Sequence, residues 1–438
     1  MNLTREQVFA IIDTALGHST ADDIEISLSG GAQGALRFAR NVPTSSGIVS
    51  SVHVSITCIF GHREGTVSVT QLDAASLQDA VRRAEETARV APENPEYMPR
   101  LGPQTYGEPA AWDDATASRG PEDRVAVAGE AISLARGAGL VAAGYLEDYA
   151  GWIAYGTSRG LRAHYRYTKS EYTVTARSAG GASGWAGLQS HQTSAVPGDT
   201  VTRRAIEKAL RSAEPIELPA KPYTAILEPA AVADMLGGMI WSMDRRDADE
   251  GRSYFSGKSA GEKVFADGIT IVSDPLDPAA PTRPWDGDGQ PLRRTVWVEN
   301  GILRNFPTSR YWAEKQGVAP VPHPRNLLMK GGKGTLDDLV ASTEYGVLVT
   351  SFWYIRTLDR KTLTLTGLTR DGLFLIENGQ VTRPLVNYRW NDSPARVLQN
   401  VEAMSEAVLT AGRGAEQALI LPALKVRDFQ FASISASS

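Results

Sequence analysis

The side chains best able to do chemistry in this 438-residue chain are few and widely spread. Its six histidines are His18, His53, His62, His164, His191 and His323, and the closest two, His53 and His62, stand nine positions apart. A zinc peptidase commonly sets two imidazoles on one helical face and adds a carboxylate. No His-Glu-x-x-His helix can be written from these positions. A site assembled from three remote histidines is geometrically conceivable, but surface or locally hydrogen-bonded imidazoles are the simpler account. The single cysteine, Cys58, lies in the apolar run Ile56-Thr57-Cys58-Ile59-Phe60, where a buried inert thiol is expected rather than an activated nucleophile. No Gly-x-Ser-x-Gly elbow is present, and Gly181-Ala182-Ser183-Gly184 reads as a flexible turn.

Phosphate and cation chemistry fare no better. Gly331-Gly332-Lys333-Gly334-Thr335 precedes a helix but lacks the Gly-Lys-Ser/Thr step of a phosphate loop, so a glycine turn feeding a capped helix is the simpler reading. Asp244, Asp247, Asp249 and Glu250 are interleaved with Arg245, Arg246 and Arg252, as in a self-neutralising solvated loop. Asp286-Gly287-Asp288-Gly289 resembles the opening of a calcium loop without its later ligands. Read residue by residue, the chain has no obvious catalytic centre.

The elements that must position these residues follow from periodicity. Thr4 and Gln7 fit a capping box opening a helix through about Leu16. Asp23–Ser29 alternates apolar and polar residues as a half-buried strand does, with further strands expected at Ala35–Ala39, Ser50–Phe60 and Gly65–Thr70. Helical spacing covers Ser76–Val90, a helix opens at Pro121, strands are expected at Leu140–Leu146, Trp152–Tyr155 and Leu161–Ala176, and Thr200–Ser212 is helical. Three prolines in 214–222 mark a domain boundary, dividing the chain into 1–213 and 214–438. Beyond it, Glu299-Asn300-Gly301 and Glu377-Asn378-Gly379 each predict a hairpin turn. Short helices are expected after Thr335 and after Asp392 or Ser393, the latter presenting Val397, Leu398, Val401 and Met404 on one face. Leu424–Ile434 reads as a closing strand pair.

Composition is that of a globular protein, 42% hydrophobic and 22% charged, with a net charge of -5 and no dense Lys/Arg run. A large nucleic-acid footprint and an anionic-membrane surface are therefore not expected. The absence of a long apolar run, a charged N-terminal stretch and the lone cysteine make the cytoplasm the expected location.

Several segments of the second half, taken in order, resemble the TldD/PmbA family. They are Tyr223 to Val232, Trp285-Asp-Gly-Asp-Gly-Gln-Pro291, Arg294 to Leu303, Thr308-Ser-Arg310, Leu373 to Gly379 and Pro422 to Phe429. The resemblance covers nearly the whole chain and is most specific from about 220 onward. It implies an α+β fold of two domains, an N-terminal α/β domain and a C-terminal β-rich domain, enclosing a central cavity. It also implies pairing of two related subunits, of which the TldD-type one carries a His-Glu-x-x-x-His helix and a C-terminal cysteine that hold zinc. At the matching position this chain has Glu228, Pro229 and Ala233, and no cysteine follows residue 58. The helix is kept and its ligands are removed, which is the TldE/PmbA type.

The expectation is thus a non-catalytic subunit of a zinc-dependent peptidase acting on unfolded or ribosomal peptides. It would have no catalytic residue and no cofactor of its own, and zinc would reside in a TldD-like partner. The assembly would be a heterodimer or larger, with a homodimer as the alternative. Trp353, Arg356 and Arg370 stand where the family more often has Gly, Ser and Asp. They are candidates to hold a peptide, arginine offering a two-pronged donor to its carboxylate. Two rival readings stay open: a stand-alone hydrolase using the carboxylates and arginines near 244–252 or 286–288, and a peptide-binding module without proteolysis.

Overall fold

The computed structural model describes residues 3–413 and 419–435. The chain is α+β, built around one six-stranded sheet in its first half and two further sheets in its second. The first sheet comprises β1 (Asp23–Ala39), β2 (Val42–Phe60), β3 (Arg63–Val69), β4 (Val141–Thr157), β5 (Arg162–Arg177) and β6 (Ser183–Ser190). It is antiparallel throughout, in the order β3-β2-β1-β4-β5-β6. Alternation along β1 sends Ile24, Ile26, Leu28, Leu36 and Phe38 to one face. That face is covered at one end by α1 (Arg5–Gly17) and α2 (Ala74–Val90). At the other end it is covered by α4 (Pro121–Gly137) and α5 (Gly198–Arg211), after the single turn α3 (Asp114–Ala117). The capping box on α1 forms as its sequence predicts.

Sequence reading divides β1 and β4 where the structure runs each through 17 residues. The interruption was the glycine run in β1, and its physical reason is close approach. A Cβ at Gly30 would meet the Trp152 ring at 2.6 Å, and one at Gly34 would meet the Arg124 guanidinium at 2.5 Å. Strand glycines here make room for a tryptophan and a buried Arg124–Asp148 ion pair between the two helical clusters.

After a linker from Ser212, the second half opens with β7 (Pro222–Leu227) and α6 (Pro229–Ser242). The large nine-stranded sheet runs from the edge strand Phe352–Asp359 through Thr364–Thr369, Tyr388–Asp392, Leu424–Ile434, β7 and Tyr345–Val349 to the hairpin Leu373–Glu377/Gln380–Pro384. A smaller six-stranded sheet carries the other hairpin, Thr295–Glu299/Ile302–Leu303. Both Asn-Gly pairs take positive φ at both residues, the twist-matched geometry expected of them.

Two expectations fail. The helix after Ser393 stops at Gln399, and Val401–Met404 is instead a strand on Leu424–Ile434. Leu424–Ile434 is one strand with a bulge at Asp428 rather than a pair, because its two sides are filled by neighbours distant in sequence. Among the described residues no helix is long and apolar enough to cross a membrane.

Candidate functional site

Helix α6 is the element on which the expected chemistry turns. Pro229 fits its first turn, where the missing N–H costs nothing, and Ala231, Val232, Met235, Leu236, Met239 and Ile240 bury its apolar side. Glu228 precedes it at the N-cap but does not cap it with its side chain. Instead its carboxylate accepts from Lys208 Nζ of α5 at 2.6 Å, and the two side chains are 12% and 11% exposed. Pro229 offers no donor atom, and Ala233 offers only a methyl to the space beyond. Cys58 is far away in the first half's core, its Sγ near the Val81 carbonyl and the Ser19 hydroxyl. Burial pushes that thiol up to about 11. Among the described residues no three His, Cys, Asp or Glu converge. The donor set on α6 does not fit a zinc ion, and no step through a metal is derived for this chain.

Three of the histidines, His62, His164 and His323, pack against aromatic rings. His164 meets Phe9 edge-on, while His323 stacks on Trp241 with centroids 4.8 Å apart. His323 Nε2 also lies 3.2 Å from the Asp244 carboxylate. Burial alone would raise the Asp244 pKa, but bonds from His323 and from the Asp247 and Arg246 N–H groups outweigh it and hold the group below its ordinary range. Arg245, Arg246 and Arg252 pair with Asp249, Glu250 and Asp247, and Arg246 additionally grips Glu96 of the first half. This cluster is a self-neutralising structural corner.

Beside α6 lies a cavity of about 640 Å³. One wall is α6 itself, with Ala233, Asp234 and Trp241; the segment 323–327 forms a second, and Trp353, Tyr354 and Arg356 a third. That third wall is the outermost strand of the large sheet, which pairs on one side only. Its register slips between Trp353 and Arg356, and Tyr354 takes φ 56°, a conformation strained for a bulky residue. The bulge leaves Trp353 and Tyr354 43% and 58% exposed at the cavity. Exposed Trp241 faces the same space.

Of the residues singled out from sequence, the structure brings Ala233, Trp353 and Arg356 to this cavity. Arg356 lies 4.3 Å over the Tyr354 ring. Arg370 is outside the cavity wall, 5.5 Å over Trp353 with its Nε 3.7 Å from Asp371. Glu228 and Pro229 sit at the N-terminal end of α6, also outside the wall. Sequence reasoning missed Arg413, which carried no periodic or motif signal. Its guanidinium lies 4.5 Å from the Trp185 ring and 5.7 Å from Trp353, and it pairs with Asp371. Burial pulls its pKa down, against the opposing pull of Asp371 and Asp234. Its backbone N–H donates to Asp234 at 2.8 Å, tying the cavity wall to α6. The arrangement offers aromatic faces, cations and an unpaired strand edge.

Three family models account for most of the chain: PmbA/TldA metallopeptidase domain 1 over residues 24–88, the central domain over 114–213 and the C-terminal domain over 220–433. The crystal structure of TldE from Thermococcus kodakarensis superposes with a TM-score of 0.86 over 97% of this chain and 99% of that one, at 18% identity, which is a likeness of fold. An uncharacterised protein of Methanocaldococcus jannaschii is 30% identical over 154 residues, 32% of this chain and 36% of that protein. A metalloprotease TldD homolog of Buchnera aphidicola is 25% identical over 173 residues, 36% of this chain and 35% of that protein. The matched part thus spans about a third of the length of these curated relatives. With all three of its domains recognised, the chain belongs to the PmbA/TldD family of metallopeptidase-related proteins.

Proposed function

We propose that this chain is a TldE/PmbA-like, non-catalytic subunit of a zinc-dependent peptidase that acts on unfolded or ribosomal peptides in the cytoplasm. The observation that carries the reading is helix α6. It holds its place beside the cavity while Glu228 is committed to Lys208 and Pro229 and Ala233 supply no ligand. Zinc would then be held by a TldD-like partner carrying His-Glu-x-x-x-His, in a heterodimer or larger assembly. The share of this chain is to complete the enclosure and align substrate. The edge strand Phe352–Asp359 can accept an extended peptide through its unpaired backbone groups, with Trp353 and Arg356 alongside.

The test is to assay an unstructured peptide with this chain alone, with a His-Glu-x-x-x-His partner alone, and with both. Chelator-sensitive hydrolysis that requires the pair is expected. Full chelator-sensitive hydrolysis by this chain alone would sink the reading.

A further inference from the structure

A second group of cations lies off the 323–327 segment, apart from the cavity. His323, Pro324 and Asn326 line that cavity, but Arg325 between them does not. Its Nε donates instead to the Trp285 carbonyl at 3.1 Å. Arg283 Nε donates to the same carbonyl at 3.1 Å, and its Nη2 reaches the Asp286 carbonyl at 3.4 Å. Two nitrogens that share one acceptor are no more than about 6.2 Å apart, so two guanidinium groups converge.

Like charges held this close favour an anion beside them. Among the described residues neither arginine forms an ion pair; their acceptors are backbone carbonyls. The nearest carboxylate, Asp286, is turned into its own loop, accepting from the Asp288 and Gln290 N–H groups and from the Gln290 side chain. Burial, then Arg325, pushes the Arg283 pKa down to about 10, and burial lowers Arg325 against the pull of Asp286.

The surroundings are aromatic. Trp285 of the second half plugs into the tyrosine-bearing face of the first sheet, 5.3 Å from Tyr106 and 6.3 Å from Tyr165. Tyr165 and Tyr167 stack at 5.3 Å, and Arg283 lies 5.5 Å over the Trp285 ring. Two planar donor forks between aromatic walls suit the two coplanar oxygens of a carboxylate carried on a peptide.

We propose that Arg283 and Arg325 form a carboxylate subsite, set on the seam between the two halves, that takes an acidic side chain or the C-terminal carboxylate of an extended peptide. The inference deepens the peptide-aligning reading above by naming an anionic class of ligand. Its test uses this chain alone and no hydrolysis, so its failure is distinguishable from failure of the partnered assay.

Titration calorimetry at low ionic strength would compare two pairs of short peptides on the full chain. One pair has neutral side chains and ends in a free acid or an amide; the other is amidated and carries Glu or Gln. Whichever acid member binds wild type about tenfold more tightly than its neutral counterpart identifies the source of the carboxylate. Arg283→Gln and Arg325→Gln are each expected to erase that preference while leaving the neutral peptides unchanged. Equal binding of acid and neutral peptides to wild type, or no binding of any, would overturn the proposal without reliance on the folding of any variant. A preference surviving in both variants would overturn it too, as would displacement of the acid peptide by inorganic phosphate at equal or lower concentration.

Discussion

Removing one partner of the Lys208–Glu228 pair tests what that contact at the start of α6 contributes. The Nζ–Oε2 distance is 2.6 Å and both side chains are nearly covered, so neither charge can find full hydration when the other is lost. Breaking a fully buried pair costs about 3–5 kcal/mol. Residual exposure of 11% and 12% admits some water, so Glu228→Gln should cost about 2 kcal/mol. Lys208→Met should cost less, about 1 kcal/mol, because the stranded carboxylate sits at the N-terminus of α6, where the helix dipole favours it. The double variant should recover most of the loss, the hallmark of a direct coupling. For a domain of this size each kcal/mol moves Tm by about 2–4 °C, so Glu228→Gln should lower it by about 4–8 °C. Scanning calorimetry at several scan rates measures this, since a chain with several sheets need not unfold in two states. If both single variants melt within about one degree of wild type, or the double variant shows the sum of the single losses, the reasoning is wrong.

Gly34→Ala should destabilise by about 1–3 kcal/mol, because its Cβ would fall on the sealed Arg124 guanidinium, whereas Gly47→Ala, with open space around it, should be close to neutral in the same melts. Asp244 has a pKa below its ordinary 3.8, so its contribution is present above that pH and is lost as pH falls through its lowered value. The Tm difference between wild type and Asp244→Asn should therefore shrink in acid below about pH 4; a difference that grows there would contradict the assignment. Cys58, buried with its pKa near 11, should resist a thiol-specific disulfide reagent in the native protein and react at once in denaturant; rapid native labelling would refute its burial.

Local signals in the chain were enough for the helix starts at Thr4 and Thr335 and for the two Asn-Gly hairpins. Capping boxes at Thr4 and Thr335 and the paired positive φ at Asn300-Gly301 and Asn378-Gly379 involve residues a few positions apart, so their chemistry is written in the string itself. The spacing of the six histidines is likewise a matter of residue identity. Partnership across the chain was the tertiary structure's to decide. Strand β1 continues through Gly30 and Gly34 because Trp152 and Arg124 occupy the space their side chains would need. Val401–Met404 became a strand because Leu424–Ile434 lay open to pair with it. Lys208 meets Glu228, Arg413 meets Asp371, and Arg283 meets Arg325, over separations no periodicity encodes. The sequence by itself determined the residue types and the short-range turns and caps. Only packing, which joins side chains by distance in space rather than along the chain, decided which of those residues meet.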